Sequence, residues 1–219
     1  MKQSPLYNKS ISFNGDSICN GAAGAGGYGK MIAEKYNMTY ENIAVNGGTI
    51  ASGYFHNDGR ARHCISRTIE KMNPDADYII LEGGVNDASV KVPLGELTSG
   101  YNDTYDDTTF IGAMESMFFK AYTRFPHKKI GYITVHKMTD SFNSTYKENS
   151  YYYAALEVCK KWGIPVCDLN IATPPFRYIE EGSPLYPIRQ VNCPDGWHPT
   201  LDGYKNYYAD KIAAWMETL

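Results

Sequence analysis

The chain has 219 residues, 43% of them hydrophobic and 21% charged, which suffices for one well-buried core and excludes a disordered, collagen-like or coiled-coil chain. Its formal net charge is -3, from 21 basic and 24 acidic residues, so it carries no electropositive footprint for nucleic acid or an anionic lipid surface. The unusual entry is tyrosine, with 19 copies, a side chain that offers both a stacking face and a hydroxyl.

Short β-branched and aromatic runs predict strands at residues 11–14, 39–45, 77–81, 129–135 and 164–168. Between and after them, apolar residues spaced three or four apart predict helices at 30–37, 60–72, 109–125, 151–162 and 201–217, the stripe from Phe110 through Met114, Phe118 and Ala121 to Phe125 being the clearest. Strand and helix alternate throughout, and right-handed crossovers then give a parallel sheet covered on both faces, a single three-layer α/β/α domain over residues 1–219. The links at 83–107 and 169–200 are much longer than usual and both leave C-terminal strand ends, the edge where open α/β sheets bind ligands.

No run of residues is apolar enough for a membrane span, the longest being Tyr78-Ile79-Ile80-Leu81. The first residues carry no apolar leader either, so the chain reads as cytoplasmic, as would a secreted chain trimmed of its leader. An odd number of cysteines without a C-x-x-C pair points to reduced, packed thiols. Cys19, beside Ser17, has no neighbour in sequence that would lower its pKa. His56, His63, His127 and His136 have no zinc spacing, and Asp103, Asp106 and Asp107 lack the ligand spacing of a calcium loop, so Asp107 or Thr108 reads instead as the cap of the helix at Thr109.

The segment Gly24-Ala25-Gly26-Gly27-Tyr28-Gly29-Lys30 satisfies G-x-G-x-x-G, which as a pattern suggests a nucleotide-binding protein. A phosphate-cradling loop must leave its strand directly, however, and here the first strand is followed by Gly15-Asp16-Ser17 instead. A serine entering a turn at a strand end presents its hydroxyl at the ligand edge, although a helix cap would use the same residues. Companions stand at the other strand ends: Asn46-Gly47-Gly48 after the second, Gly83-Gly84-Val85-Asn86-Asp87 after the third, and Asp195-Gly196-Trp197-His198-Pro199 before the last helix. An acid three residues before a histidine can take the imidazole Nδ1 proton and leave Nε2 for a serine.

These ordered blocks resemble those of the SGNH, or GDSL-type, hydrolases over nearly the whole chain, with Ile18 where leucine names the GDSL pattern. The resemblance implies a flavodoxin-like sheet of five parallel strands and a serine hydrolase cleaving carboxylic esters through an acyl-enzyme. It assigns Ser17 as nucleophile, His198 as base and Asp195 as its orienter, with the Ser17 amide, the Gly47 amide and the Asn86 side chain as oxyanion donors. The adjacent Gly48 allows a one-residue slip in that assignment. No metal or cofactor is implied, and the partner is a small-molecule ester, read here as a short acyl group on a sugar or other small alcohol. The competitor within the same class is a lysophospholipase or thioesterase with a longer acyl groove. His136, after the fourth strand, and Tyr101, Tyr105, Tyr178, Tyr186 and Trp197, in the long loops, are the candidates for substrate contact.

Overall fold

The computed structural model describes residues 3–21, 26–102, 104–138 and 150–219. Strand β1 (Ser10–Asn14) leads into the short helix α1 (Ser17–Asn20), followed by α2 (Gly27–Tyr36) and β2 (Thr39–Asn42). Helix α3 (Ile65–Thr68) runs on into a 3-10 turn and precedes β3 (Tyr78–Glu82), α4 (Val85–Ser89), α5 (Phe110–Arg124) and β4 (Lys129–Ile133). Then come α6 (Ser150–Trp162), β5 (Val166–Cys167), α7 (Leu169–Ala172), α8 (Tyr186–Asn192), α9 (Leu201–Tyr204), a π-helical segment (Lys205–Ala209) and α10 (Asp210–Met216).

The five strands form one parallel sheet in the order β2-β1-β3-β4-β5. Central β3 is buried along its whole length, as its sequence Tyr-Ile-Ile-Leu-Glu requires of a strand covered on both faces. Its side chains alternate: Ile79 and Leu81 join the core under α3, α5 and α6, whereas Tyr78 and Ile80 join the one under α2 and the C-terminal helices. The apolar stripe of α5 supplies Phe110, Met114, Met117, Phe118 and Ala121 to the first core. Much of the tyrosine excess goes into the second, where Tyr28 packs edge-on to Phe13 at 5.7 Å and stacks with Tyr208 at 6.2 Å. No helix among the described residues is long and apolar enough to cross a membrane.

Local chemistry explains where elements differ from expectation. Strand β2 stops at Asn42 because its side chain accepts the Ala44 amide at 2.9 Å and turns the chain out of the sheet. The helix expected from residue 60 begins only at Ile65, since Ala61 is drawn into an antiparallel bridge with Phe55. The cap of α5 is Thr109, whose hydroxyl accepts the Gly112 amide at 3.3 Å. Asp107 pairs instead with Arg67 at 2.7 Å, and Asp103 lies outside the described residues.

Candidate active site

Parallel strands deliver their C-terminal ends to one edge, and the blocks after β1, β3 and β5 meet there. Asp16 caps α1 by accepting the Ile18 amide at 2.9 Å, so the local turn chemistry of Gly-Asp-Ser is real. The same turn lifts Ser17 to the sheet edge, where its Oγ donates to His198 Nε2 at 3.1 Å. The other ring nitrogen, Nδ1, donates to Asp195 Oδ2 at 2.8 Å, while Asp195 Oδ1 accepts the Trp197 and His198 amides at 2.7 and 2.8 Å. Residues separated by 181 positions thus form one hydrogen-bonded series.

Electrostatics follow that geometry. Partial burial opposes the Asp195 charge, but hydrogen bonds from His198 and the two amides prevail and bring its pKa down to about 2. The Asp195 carboxylate raises His198 above the ordinary imidazole value, against the pull of desolvation. Burial keeps the Cys19 thiol protonated, so it is a packed residue rather than a nucleophile.

Gly47 and Asn86 stand across from the serine turn. Gly47 has φ +77, and a Cβ there would lie 2.6 Å from His56 Cε1, so only glycine fits. The Gly48 amide donates to Val45 O at 3.0 Å, whereas the Gly47 amide has no acceptor among the described residues. Asn86 donates from Nδ2 to Gly48 O at 2.9 Å and to Asp16 Oδ2 at 3.3 Å. Asp87 accepts the Ile50 and Ala51 amides at 2.9 Å each, tying α4 to the loop that carries Gly47.

Beside the serine opens a cleft of about 290 Å³ lined by Ser17, Ile18, Val85, Asn86, Met138, Trp197 and His198. Of the six aromatic and histidine candidates, only Trp197 reaches it, with Arg177 stacked at 4.7 Å from its ring. His136 is wholly buried and makes no part of a binding surface: its Nδ1 accepts from Tyr208 Oη at 2.5 Å, and desolvation brings its pKa down to about 4. Tyr101 and Tyr105 pack edge-on to Trp162, at 5.4 and 6.0 Å, where α6 ends and β5 is about to begin. That is the end of the helix remote from the serine edge. Tyr178, in a 3-10 turn, and Tyr186, at the start of α8, do not line the cleft.

The glycine-rich segment is described from Gly26 onward, Gly24 and Ala25 lying outside the described residues. Its helix start is spent on packing: a Cβ at Gly27 would meet Cys19 O at 2.8 Å, and Gly27, Tyr28 and Gly29 are all buried. The helical tyrosines were less legible. In the C-terminal segment, Tyr204 donates to Ile18 O at 2.9 Å behind the serine turn, and Tyr208 reaches His136. Their spacing of four marks a buried helix face but says nothing of its interruption by a π segment.

Residues 26–170 match the sequence family described as GDSL-like Lipase/Acylhydrolase. Solved structures agree in fold. One from Lactobacillus plantarum is 22% identical, with TM-score 0.74 over 97% of this chain and 98% of that one. Another from Bacteroides ovatus, assigned as a GDSL-like lipase, is 17% identical, with TM-score 0.69 over 97% and 99%. A family two carbohydrate esterase from Clostridium thermocellum, solved in complex with cellohexaose, is 15% identical, with TM-score 0.60 over 100% of this chain and 65% of that one. No curated protein sequence matches. The chain belongs to the GDSL-like lipase/acylhydrolase family and is an ester-hydrolysing enzyme of it.

Proposed function

We propose that the enzyme is a serine esterase in which Ser17 attacks the ester carbonyl while His198 takes its proton and Asp195 holds the imidazole in the required tautomer. The observation that carries this reading is the series Asp195–His198–Ser17, with contacts of 2.8 and 3.1 Å, opening onto the cleft. His198 then returns the proton to the leaving alcohol, and a water activated by the same base releases the acyl group. The oxyanion is held by the Ser17 amide, the Gly47 amide and Asn86 Nδ2. For Gly47 over its neighbour, the support is that the Gly48 amide is already bound to Val45 O.

The substrate we favour carries a short acyl group on a sugar or another small alcohol. A cleft of about 290 Å³ suits a small ester, and the Trp197 ring at its rim offers a flat apolar face. The shared fold with a carbohydrate esterase solved with cellohexaose is consistent with this choice. The test is fluorophosphonate labelling and hydrolysis of a p-nitrophenyl ester series beside acetylated sugars, on the native enzyme and Ser17→Ala. Labelling and turnover should both vanish in the variant while the fold persists. Turnover retained by purified Ser17→Ala would remove the nucleophile assignment, and rates that climb with acyl length would replace the short-acyl reading by a lysophospholipase or thioesterase.

A further inference from the structure

Beneath the serine turn lies an acid that the proposed reaction does not use. Glu82 ends the otherwise apolar strand β3, is 1% exposed, and its Oε2 accepts the Asp16 amide at 3.3 Å. Its Oε1 accepts from no donor among the described residues, and the two carboxyl groups of Glu82 and Asp16 stand in side-chain hydrogen-bond contact. Room for the carboxyl is made by Gly15, where a Cβ would stand 2.8 Å from Glu82 Oε2. Asp16, also wholly buried, faces Glu82 on one side and on the other accepts from Asn86 at 3.3 Å. Two buried acids in contact cannot both be charged. An apolar residue would fill the end of this strand at lower cost, so the acid calls for a role other than packing.

We propose that Glu82 is a positioning residue for the oxyanion site: as a neutral carboxylic acid it shares its proton with Asp16, and the Asp16 carboxylate so held, together with Gly48 O, aims the Asn86 carboxamide. This rests on the assignment of Asn86 made above. The geometry has a direct consequence for Asn86. One Nδ2 proton is taken by Gly48 O at 2.9 Å, and the longer 3.3 Å contact to Asp16 is the one an oxyanion would displace. A proton donated into Asp16 by Glu82 withdraws charge from the carboxylate and eases that displacement.

Groups facing the pair agree with this placement of the proton. Cys19 lies on α1, Tyr28 on α2, Tyr132 on β4, and Tyr204 and Tyr208 on the C-terminal helices, none of them a cation, while Asp87 adds negative charge from α4 and His198 adds a positive influence on Asp16. Burial, and then the Asp16 charge, push Glu82 well above the carboxylate range, and burial raises Asp16 only to about 6. Glu82 therefore keeps its proton in the fold after the unfolded chain has released it near 4.5. With the native state binding more protons, stability falls as pH rises above that value.

The test uses the whole enzyme and a short-chain p-nitrophenyl ester, with Glu82→Leu, Glu82→Gln, Asn86→Ala and the Glu82→Leu/Asn86→Ala double variant. Glu82→Leu should fold and lose about tenfold in kcat, less than the 10²- to 10³-fold of a donor removed outright, with KM moved less than about twofold. Glu82→Gln, which still donates to Asp16, should stay within about threefold of the native kcat. It should also make the fall in melting temperature above pH 4.5 shallower, leaving the part that the raised Asp16 and Asp87 carboxyls contribute. In the Asn86→Ala background the Leu substitution should cost little more. The proposal is overturned by a Glu82→Leu variant with native kcat, or by an equal loss with and without Asn86. Should Glu82→Leu not fold, Glu82→Gln decides, and a large loss of kcat or an unchanged pH slope of stability rejects it. Asn86→Ala losing activity while Glu82→Leu keeps it leaves the site assignment standing and removes only the role of Glu82. Full activity in Asn86→Ala overturns both.

Discussion

The two long loops look alike in sequence, since each leaves the C-terminal end of a strand and carries two of the candidate tyrosines, yet only one of them returns its chain to the serine edge. The loop after β5 comes to the serine edge at its end, Asp195-Gly196-Trp197-His198, with Arg177 stacked on the Trp197 ring. The loop after β3 contributes Val85 and Asn86 to the cleft and then turns away to bind α5 and α6 through Thr98, whose amide reaches Glu115 and whose carbonyl accepts from Lys161 at 2.6 Å. Its latch is a buried ion pair: Lys161 Nζ lies 2.5 Å from Glu115 Oε1, with side chains 13% and 0% exposed, and the Thr98 amide donates to Glu115 Oε2 at 2.9 Å. Trp162 Nε1 reaches the same carboxylate at 3.2 Å, and Tyr101 and Tyr105 close over the indole. Aromatic residues in a long loop thus mark a need for burial as readily as a ligand, and the partner across the fold decides which.

That contrast can be broken at either end. The largest effect is expected from His198→Ala in the loop after β5, which removes the proposed base and should lower kcat by roughly 10⁴- to 10⁶-fold. Circular dichroism should be unchanged, and an active variant would displace the assignment. In the loop after β3, Lys161→Met leaves Glu115 buried and uncompensated and should cost about 3–5 kcal/mol of stability by urea titration. Its kcat/KM should hold within about twofold at temperatures where it is folded, whereas loss of activity in the folded variant would show that the latch reaches the site.

The pH profile distinguishes the loops more gently. In the proposed mechanism His198 is neutral when it accepts the serine proton, so activity should fall as pH drops through its pKa, which Asp195 holds above the ordinary value. Asp195→Asn removes the cause of that rise. Its acid limb should move to lower pH while the plateau falls, and an acid limb that stays in place would separate it from His198. The smallest effect belongs to Tyr101→Ala: kcat/KM on acetylated sugars should stay within about twofold. Trp197→Ala, its counterpart at the cleft, should raise KM on the same substrates.

Several features of the site were legible because their information is local. Asp195 and His198 sit three residues apart on one loop, and Asp16 and Ser17 share a turn, so the spacing alone predicts these contacts. The choice between Gly47 and Gly48 was not legible, since it depends on which amide Val45 O has taken. His136 misled for a similar reason. Its position after β4 is an edge position, but Tyr208, 72 residues away, draws the ring inward.

By itself, the sequence determined the alternation of strands and helices, the parallel sheet and the blocks that assemble at its edge, because hydrophobic period and turn chemistry act over a few residues. Only the tertiary structure decided that none of the candidate tyrosines lines the cleft, where β2 ends, and that Glu82 shares the ground beneath Ser17 with Asp16. Those outcomes depend on desolvation and on hydrogen bonds between distant positions, such as Asp16 and Glu82, 66 positions apart. A single side chain's neighbours do not exist until the sheet has brought the strand ends together.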